Sequence, residues 1–315
     1  MRIGIFVSET SAELTSVDEL VANAVAAEAA GFTTAWVPHI PWSLDALTAI
    51  AIAAGPTERI ELGTAVVPTY SRHPLAMAQQ ALSTQAVADG RLSLGIGPSH
   101  QMVIEGMYGL SYERPIRHVR EYVDVLTSAF AGTGQVDHDG DLYTVHAMLN
   151  VPGATSAPLL LSALAPLMLR LAGEQTDGTI TWMCDERANT EHVVPRITAA
   201  AEGAGRPAPR IISGLPVCVH DDEDAARERA AHAFQIYGQI PTYRRILDRG
   251  DGEGPADVCV VGDEAAVEAK LRSHRDTGVT DLAATIFTVG TTPAERTASR
   301  RRTFDLLASL APELS

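Results

Sequence analysis

The feature that most constrains this chain is an alternation. Eight short runs rich in β-branched, aromatic and other apolar residues fall at 2–7, 32–37, 60–67, 92–96, 159–163, 179–183, 211–219 and 282–287. Between them lie stretches with helical spacing, several carrying start signals. Ser16 and Glu19 form a capping box, and Pro74, Pro115 and Pro166 sit where a first helical turn accepts proline. Strands alternating with helices make a parallel sheet with right-handed crossovers. Eight such units favour closure into a (β/α)8 TIM barrel with insertions. An open doubly wound sheet is the second reading, weakened because no G-x-G-x-x-G follows the first strand.

Length fits the barrel. Single α/β barrels routinely use roughly 250 residues, and this chain has 315 with no composition break and no repeat beyond the βα unit. One domain over 1–315 is therefore expected. The insertions would be a hairpin at 136–145 turning at Asp139-Gly140, a loop holding Tyr108, Gly109 and Tyr112, and an irregular polar segment up to Gly254.

Charge narrows the partners. A formal net charge of -15 argues against nucleic acid and against an anionic membrane surface. No apolar run approaches the ~18 residues of a membrane span, and the N-terminal MRIGIFV enters a strand at once, without the pattern of a signal peptide. Cys184, Cys218 and Cys259 are odd in number, widely spaced and set in apolar runs, which suits reduced, buried thiols in a cytoplasmic protein. A metal site is not expected, for want of H-x-x-x-H or a carboxylate cluster, nor is a serine hydrolase, for want of G-x-S-x-G.

In parallel α/β folds, sites gather past the C-terminal ends of the strands. The richest such place is the loop after the second strand, in GFTTAWVPHIPW. There Pro38 and Pro41 brace His39 and Trp42. An imidazole is suited to proton transfer near neutral pH and an indole to stacking on a flat ligand. The plainer reading is a histidine bonded to a carbonyl and a tryptophan filling a cleft. The third run ends at Thr64, Ala65, Val66 and Val67, an apolar wall that spacing alone reads as barrel core. The fourth ends at Gly95 and Gly97, where glycine admits a ligand close to the backbone, followed by Ser99 and His100. Ser162, Ala163, Leu164 and Ala165 precede Pro166, so a helix N-terminus with small residues before it could take a phosphate without any lysine; an ordinary turn is the alternative. Trp182 and Met183 end the sixth run as cofactor wall or core. Cys184, Glu9 and Glu105 are read as a poor nucleophile and two solvated carboxylates.

With these residues laid out, the chain resembles the luciferase-like monooxygenase superfamily, and within it the actinobacterial deazaflavin (coenzyme F420)-dependent oxidoreductases. The likeness rests on AAEAAGFTTAWVPHIPW, on IELGTAVVPTYSRHPLAMAQQALSTQAVADGRLSLGIGPSH, on PLLLSALAPLMLRLAGEQTDGTITWM and on PTYRRILDR. It implies a cofactor in the C-terminal mouth, with His39 near the reacting ring carbon; with Trp42 on the same loop, the two are the candidate catalytic residues. Thr64 to Val67 would back the ring, often through a non-proline cis peptide. Gly97 and Ser99 would line it, Ser162 to Ala165 would take its phosphate, and Trp182 and Met183 would form the rim. FMN, fed by a partner reductase, is the alternative cofactor, and a non-catalytic flavin-binding barrel the alternative role. A small-molecule substrate and a homodimer are implied. The sugar-phosphate dehydrogenases of this branch carry a glutamate after strand four; here Pro98-Ser99-His100 stands there, which argues against a sugar phosphate.

Overall fold

The computed structural model describes residues 1–8 and 14–314. Its barrel strands are β1 (Arg2–Phe6), β2 (Thr34–Val37), β3 (Glu61–Thr64), β4 (Leu92–Gly97), β5 (Leu159–Ser162), β6 (Gly178–Trp182), β7 (Arg210–Val219) and β8 (Asp281–Ile286). Each pairs in parallel with the next, and β8 returns to β1 with Ile3 opposite Leu282 and Ile5 opposite Ala284. That last ladder closes the barrel and removes the open-sheet alternative.

The lumen is filled by Phe6, Trp36, Leu160, Ile180, Ile212 and Ala283. Trp36 fits because its neighbours are glycines: a Cβ on Gly4 would lie 2.6 Å from the indole nitrogen, and one on Gly63 would run into the ring. Outward residues of the same strands, such as Ile3, Ile5 and Leu62, pack under the helices. The N-terminal floor is ionic. Arg210 donates to Glu61 and to Asp281 at 2.7 Å each, and Arg2 reaches Glu61 at 2.5 Å. Four strand starts are thereby tied at the end of the barrel remote from any site.

Helix starts follow the expected chemistry. Ser16 caps Val17–Ala29 and the Glu19 carboxylate returns to the Ser16 N–H at 2.8 Å. Pro74, Pro115 and Pro166 each open a helix, over Pro74–Val87, Pro115–Phe130 and Pro166–Gln175. The inserted hairpin pairs Gln135–Asp139 with Thr144–Met148.

Several expectations change. The third strand does not run through 67: it stops at Thr64, a cis peptide joins Ala65 to Val66, and Val67–Pro68 pairs separately with β4. Thr64 ends the ladder by turning its hydroxyl onto the backbone of Gly95, donating at 2.7 Å and accepting at 2.8 Å. The stretch after His100 holds a short helix, Gln101–Gly106, and the polar segment before Gly254 holds another, Pro241–Leu247. Both are too short to show a helical period in sequence. β7 is long enough that its last residues pair with an extra strand, Val260–Gly262.

Candidate active site

The loop after β2 carries a histidine whose protonation is set by geometry. Asp45 caps the helix Ala46–Ala53, accepting the Thr48 N–H at 2.9 Å, and pairs with Arg72 at 2.8 Å. His39 sits against this helix start: its Nδ1 accepts the Ala46 N–H at 3.3 Å and lies 3.7 Å from Asp45. A backbone amide can only donate, so Nδ1 is bare and the ring proton is on Nε2. Burial pushes the His39 pKa down, more than Asp45 pulls it up, and Arg72 adds to the lowering. The positive end of the helix acts in the same sense. His39 is thus a neutral imidazole presenting an Nε2–H donor. Trp42, on the turn that follows, is 58% exposed and stands at the rim of the mouth.

The ends of β3, β4 and β5 form a narrow cradle. Thr64 and Val67 are buried, while Ala65 and Val66 pack partly against the lumen. A Cβ on Gly97 would lie 3.0 Å from the Ser162 Cβ and 3.1 Å from the Val66 Cγ2, so glycine keeps this cradle open. Ser99 takes a left-handed conformation, φ +60°, and its carbonyl accepts the Tyr112 hydroxyl at 3.2 Å. His100 lies 5.3 Å from Tyr243, ring to ring, and burial lowers its pKa. Glu105 is exposed and bonds Gln101 at 3.0 Å; Glu9 lies outside the described residues.

Past β5 the four expected residues part ways. Ala163 and Leu164 are buried, Ser162 is half-buried, and Ala165 is the exposed N-cap of Pro166–Gln175, with no side-chain bond to the helix. The Leu164 carbonyl is held by His192, whose Nε2 donates to it at 2.7 Å. Past β6, Trp182 is half-buried while Met183, at φ +59°, and Cys184 are fully buried. Burial raises the Cys184 pKa, which agrees with its reading as a poor nucleophile. All three cysteines are free and buried.

Four residues at this mouth were not singled out as site residues in the sequence. Asn189 and His192 sit on a π-helical turn, Asn189–Val193, and Asn189 donates to the Cys184 carbonyl at 3.3 Å. Such turns are frequent at functional sites, but nothing in the residue pattern marks one. Tyr237 and Tyr243 arrive from the insertion after β7; the PTYRRILDR segment signals Tyr243, and nothing in the sequence signals Tyr237. Around the ends of β5 and β6, two buried polar atoms lack a protein partner: Asn189 Oδ1 and His192 Nδ1. Buried polar groups are normally paired, and a cluster of unpaired ones at an uncapped helix start suits a polar ligand.

The comparison that decides the family is with sequence profiles: the luciferase-like monooxygenase profile matches residues 1–295. The chain belongs to the luciferase-like monooxygenase family. Among characterised relatives, it is 30% identical over 205 residues to the 5,10-methylenetetrahydromethanopterin reductase of Methanolobus tindarius, a match spanning 65% of this chain and 62% of that protein. It is 30% identical over 235 residues to the F420-dependent glucose-6-phosphate dehydrogenase of Mycolicibacterium fortuitum, covering 69% of this chain and 68% of that one. Among solved structures, an F420-dependent secondary alcohol dehydrogenase in complex with an F420-acetone adduct superposes with a TM-score of 0.82 at 17% identity, covering 100% of this chain and 99% of that chain. That likeness shows a shared barrel fold.

Proposed function

We propose that this family member is an oxidoreductase that moves a hydride between coenzyme F420 and a small organic substrate. One observation of the structure carries the reading. The mouth combines a neutral imidazole presenting Nε2–H from β2 with unpaired buried polar atoms and an uncapped helix start at β5 and β6. The relatives' dependence on F420 supports it. The deazaflavin, when bound, supplies the hydride chemistry at its C5 carbon. Ala65 and Val66 back the ring, Gly97 keeps room beside it, and the backbone donors after Ala165 hold the phosphate. Trp182 and Met183 close the β6 side and exclude water. His39 holds an oxygen of the ring or the substrate through Nε2–H, and its environment keeps it uncharged while it does so.

Anaerobic titration with F420 and with FMN tests this. F420 is expected to bind and to be reduced or oxidised by members of an alcohol, ketone and enone panel. Tight FMN binding with no affinity for F420 would replace the reading with a flavin monooxygenase. F420 binding with no turnover on any panel member would leave a non-catalytic carrier.

A further inference from the structure

Three features of the barrel mouth converge on one kind of substrate. The first is charge. The three residues following each of β2, β3, β4, β5 and β8 include no lysine, arginine, aspartate or glutamate. Asp185, past β6, is occupied as a cap, accepting the N–H groups of Ala188 at 2.8 Å and Asp251 at 2.7 Å. Asp221, past β7, pairs with Arg302 at 2.6 Å. Asp45 pairs with one nitrogen of Arg72 at 2.8 Å, and the Arg72 Nη1 is buried without a partner among the described residues. In the three residues past each of those five strands, no charged side chain stands ready to repay the hydration that a charged substrate body would lose.

The second feature is shape. Trp182 lies 5.7 Å from Tyr237, Tyr237 lies 5.0 Å from Tyr243, and Tyr243 lies 5.3 Å from His100, all edge to face. These rings form an arch of successive contacts from the end of β6 to the stretch after β4. In the eight-strand order β6, which carries Trp182, stands opposite β2, which leads into His39. Rings of this kind present broad apolar faces and edges to a flat body. The surface leading in is also apolar: Trp42 is 58% exposed and Met102 59%.

The third is hydrogen bonding. Other tyrosines nearby spend their hydroxyls on carbonyls, Tyr112 on Ser99 at 3.2 Å and Tyr70 on Glu113 at 3.0 Å. The Tyr243 hydroxyl has no such protein partner among the described residues. Burial raises its pKa, so it stays a donor across the physiological range.

We propose that the Trp182–Tyr237–Tyr243–His100 arch is the substrate wall, and that it selects a neutral, flat carbonyl compound, a cyclic or aromatic ketone or enone, whose oxygen accepts a hydrogen bond from Tyr243. The choice of a carbonyl rests on the hydride-transfer reading; the selection for an uncharged flat body rests on the wall alone.

Calorimetry tests it without turnover, using protein loaded with oxidised F420, which cannot reduce a ketone. 2-Acetylnaphthalene should bind about tenfold or more tightly than acetone, and glucose 6-phosphate should not compete with it. Tyr243→Ala should weaken 2-acetylnaphthalene by about tenfold or more. Tyr243→Phe, which keeps the ring, should weaken it roughly three- to tenfold while leaving 2-ethylnaphthalene unchanged. A change below twofold in both variants, or preferential binding of the sugar phosphate, overturns the wall. The cofactor reading is tested separately by the same titrations. F420 that binds without the ketone following overturns only the wall. A protein that refuses F420 yet binds the naphthyl ketone, with the same Tyr243 dependence, keeps the wall and overturns the cofactor.

Discussion

At the scale of single residues, His39 is the position where geometry says more than chemistry by type. Free histidine near neutral pH is a proton exchanger. Here the Ala46 N–H occupies Nδ1, so giving up the Nε2 proton would leave an imidazolate, and taking a proton would require breaking the Ala46 bond in favour of Asp45 at 3.7 Å. The expected result is that His39→Ala slows single turnover at saturating cofactor by ~10²-fold or more, whereas His39→Gln, which keeps an N–H donor, recovers part of the loss. Because burial lowers the His39 pKa, its neutral form persists below the ordinary value of 6.5. Any loss of single-turnover rate through His39 protonation should therefore be centred below pH 6.5. A sigmoidal loss centred near 6.5 would instead mean that His39 titrates freely, and an unimpaired His39→Ala enzyme would pass the role to His100 or solvent.

At the scale of elements, the helix Pro166–Gln175 offers a test with two opposite signs. Substituting Ala163 is uninformative, because that side chain is 1% exposed and a carboxylate there would disrupt the core. Ala165 is the exposed N-cap without a capping side chain. Ala165→Asp should raise thermal stability by about 1 kcal/mol through capping. The same change should weaken cofactor binding by about 1–3 kcal/mol through repulsion of the phosphate. A gain in melting temperature with unchanged affinity would move the phosphate elsewhere. The inserted hairpin gives a second element-level prediction. His118, on Pro115–Phe130, bonds Thr69 at 2.8 Å, contacts the Tyr143 hydroxyl of the hairpin at 3.3 Å, and stacks on Tyr70. Burial pushes its pKa from 6.5 down to about 4, against the upward pull of Glu121. The folded protein thus refuses a proton that the unfolded chain accepts. This contribution to stability is complete above pH 6.5 and is lost as pH falls toward 4, up to about 3 kcal/mol. Denaturation midpoints should fall across that window, and less steeply in His118→Gln.

For the whole molecule, the two ends of the barrel divide the work. The ionic floor is remote from the mouth, so Arg210→Met should destabilise by ~3–5 kcal/mol, leaving Glu61 and Asp281 short of a partner, without changing cofactor affinity in the protein that remains folded. Chemical denaturation alongside calorimetry separates the two. Assembly is the other molecular-scale expectation. Val25, Ile52 and Val87, on the first three helices, are 39%, 46% and 57% exposed. We expect these helices to be covered in a homodimer at micromolar concentration. Light scattering at a mass near 33.4 kDa over that range would contradict it, and Ile52→Glu should shift a dimer to that mass.

Local pattern alone determined the eight-fold strand–helix order, the capping box at Ser16, the proline-started helices and the strand ends at which His39, Gly97, Ala165 and Trp182 stand. These follow from side-chain periodicity and from cap and turn chemistry, which act within a few residues of chain. Closure of the sheet decided the rest. The state of His39 depends on a helix start and on an Asp45–Arg72 pair whose members are 27 residues apart. The Tyr237–Tyr243 arch reaches Trp182 and His100 only because a long insertion after β7 folds back across the mouth. Ala163 and Ala165, alike in sequence, differ in exposure because one is buried in the core and the other stands at the exposed, uncapped start of Pro166–Gln175. None of these has a period or a motif, since each depends on how segments pack in the folded barrel.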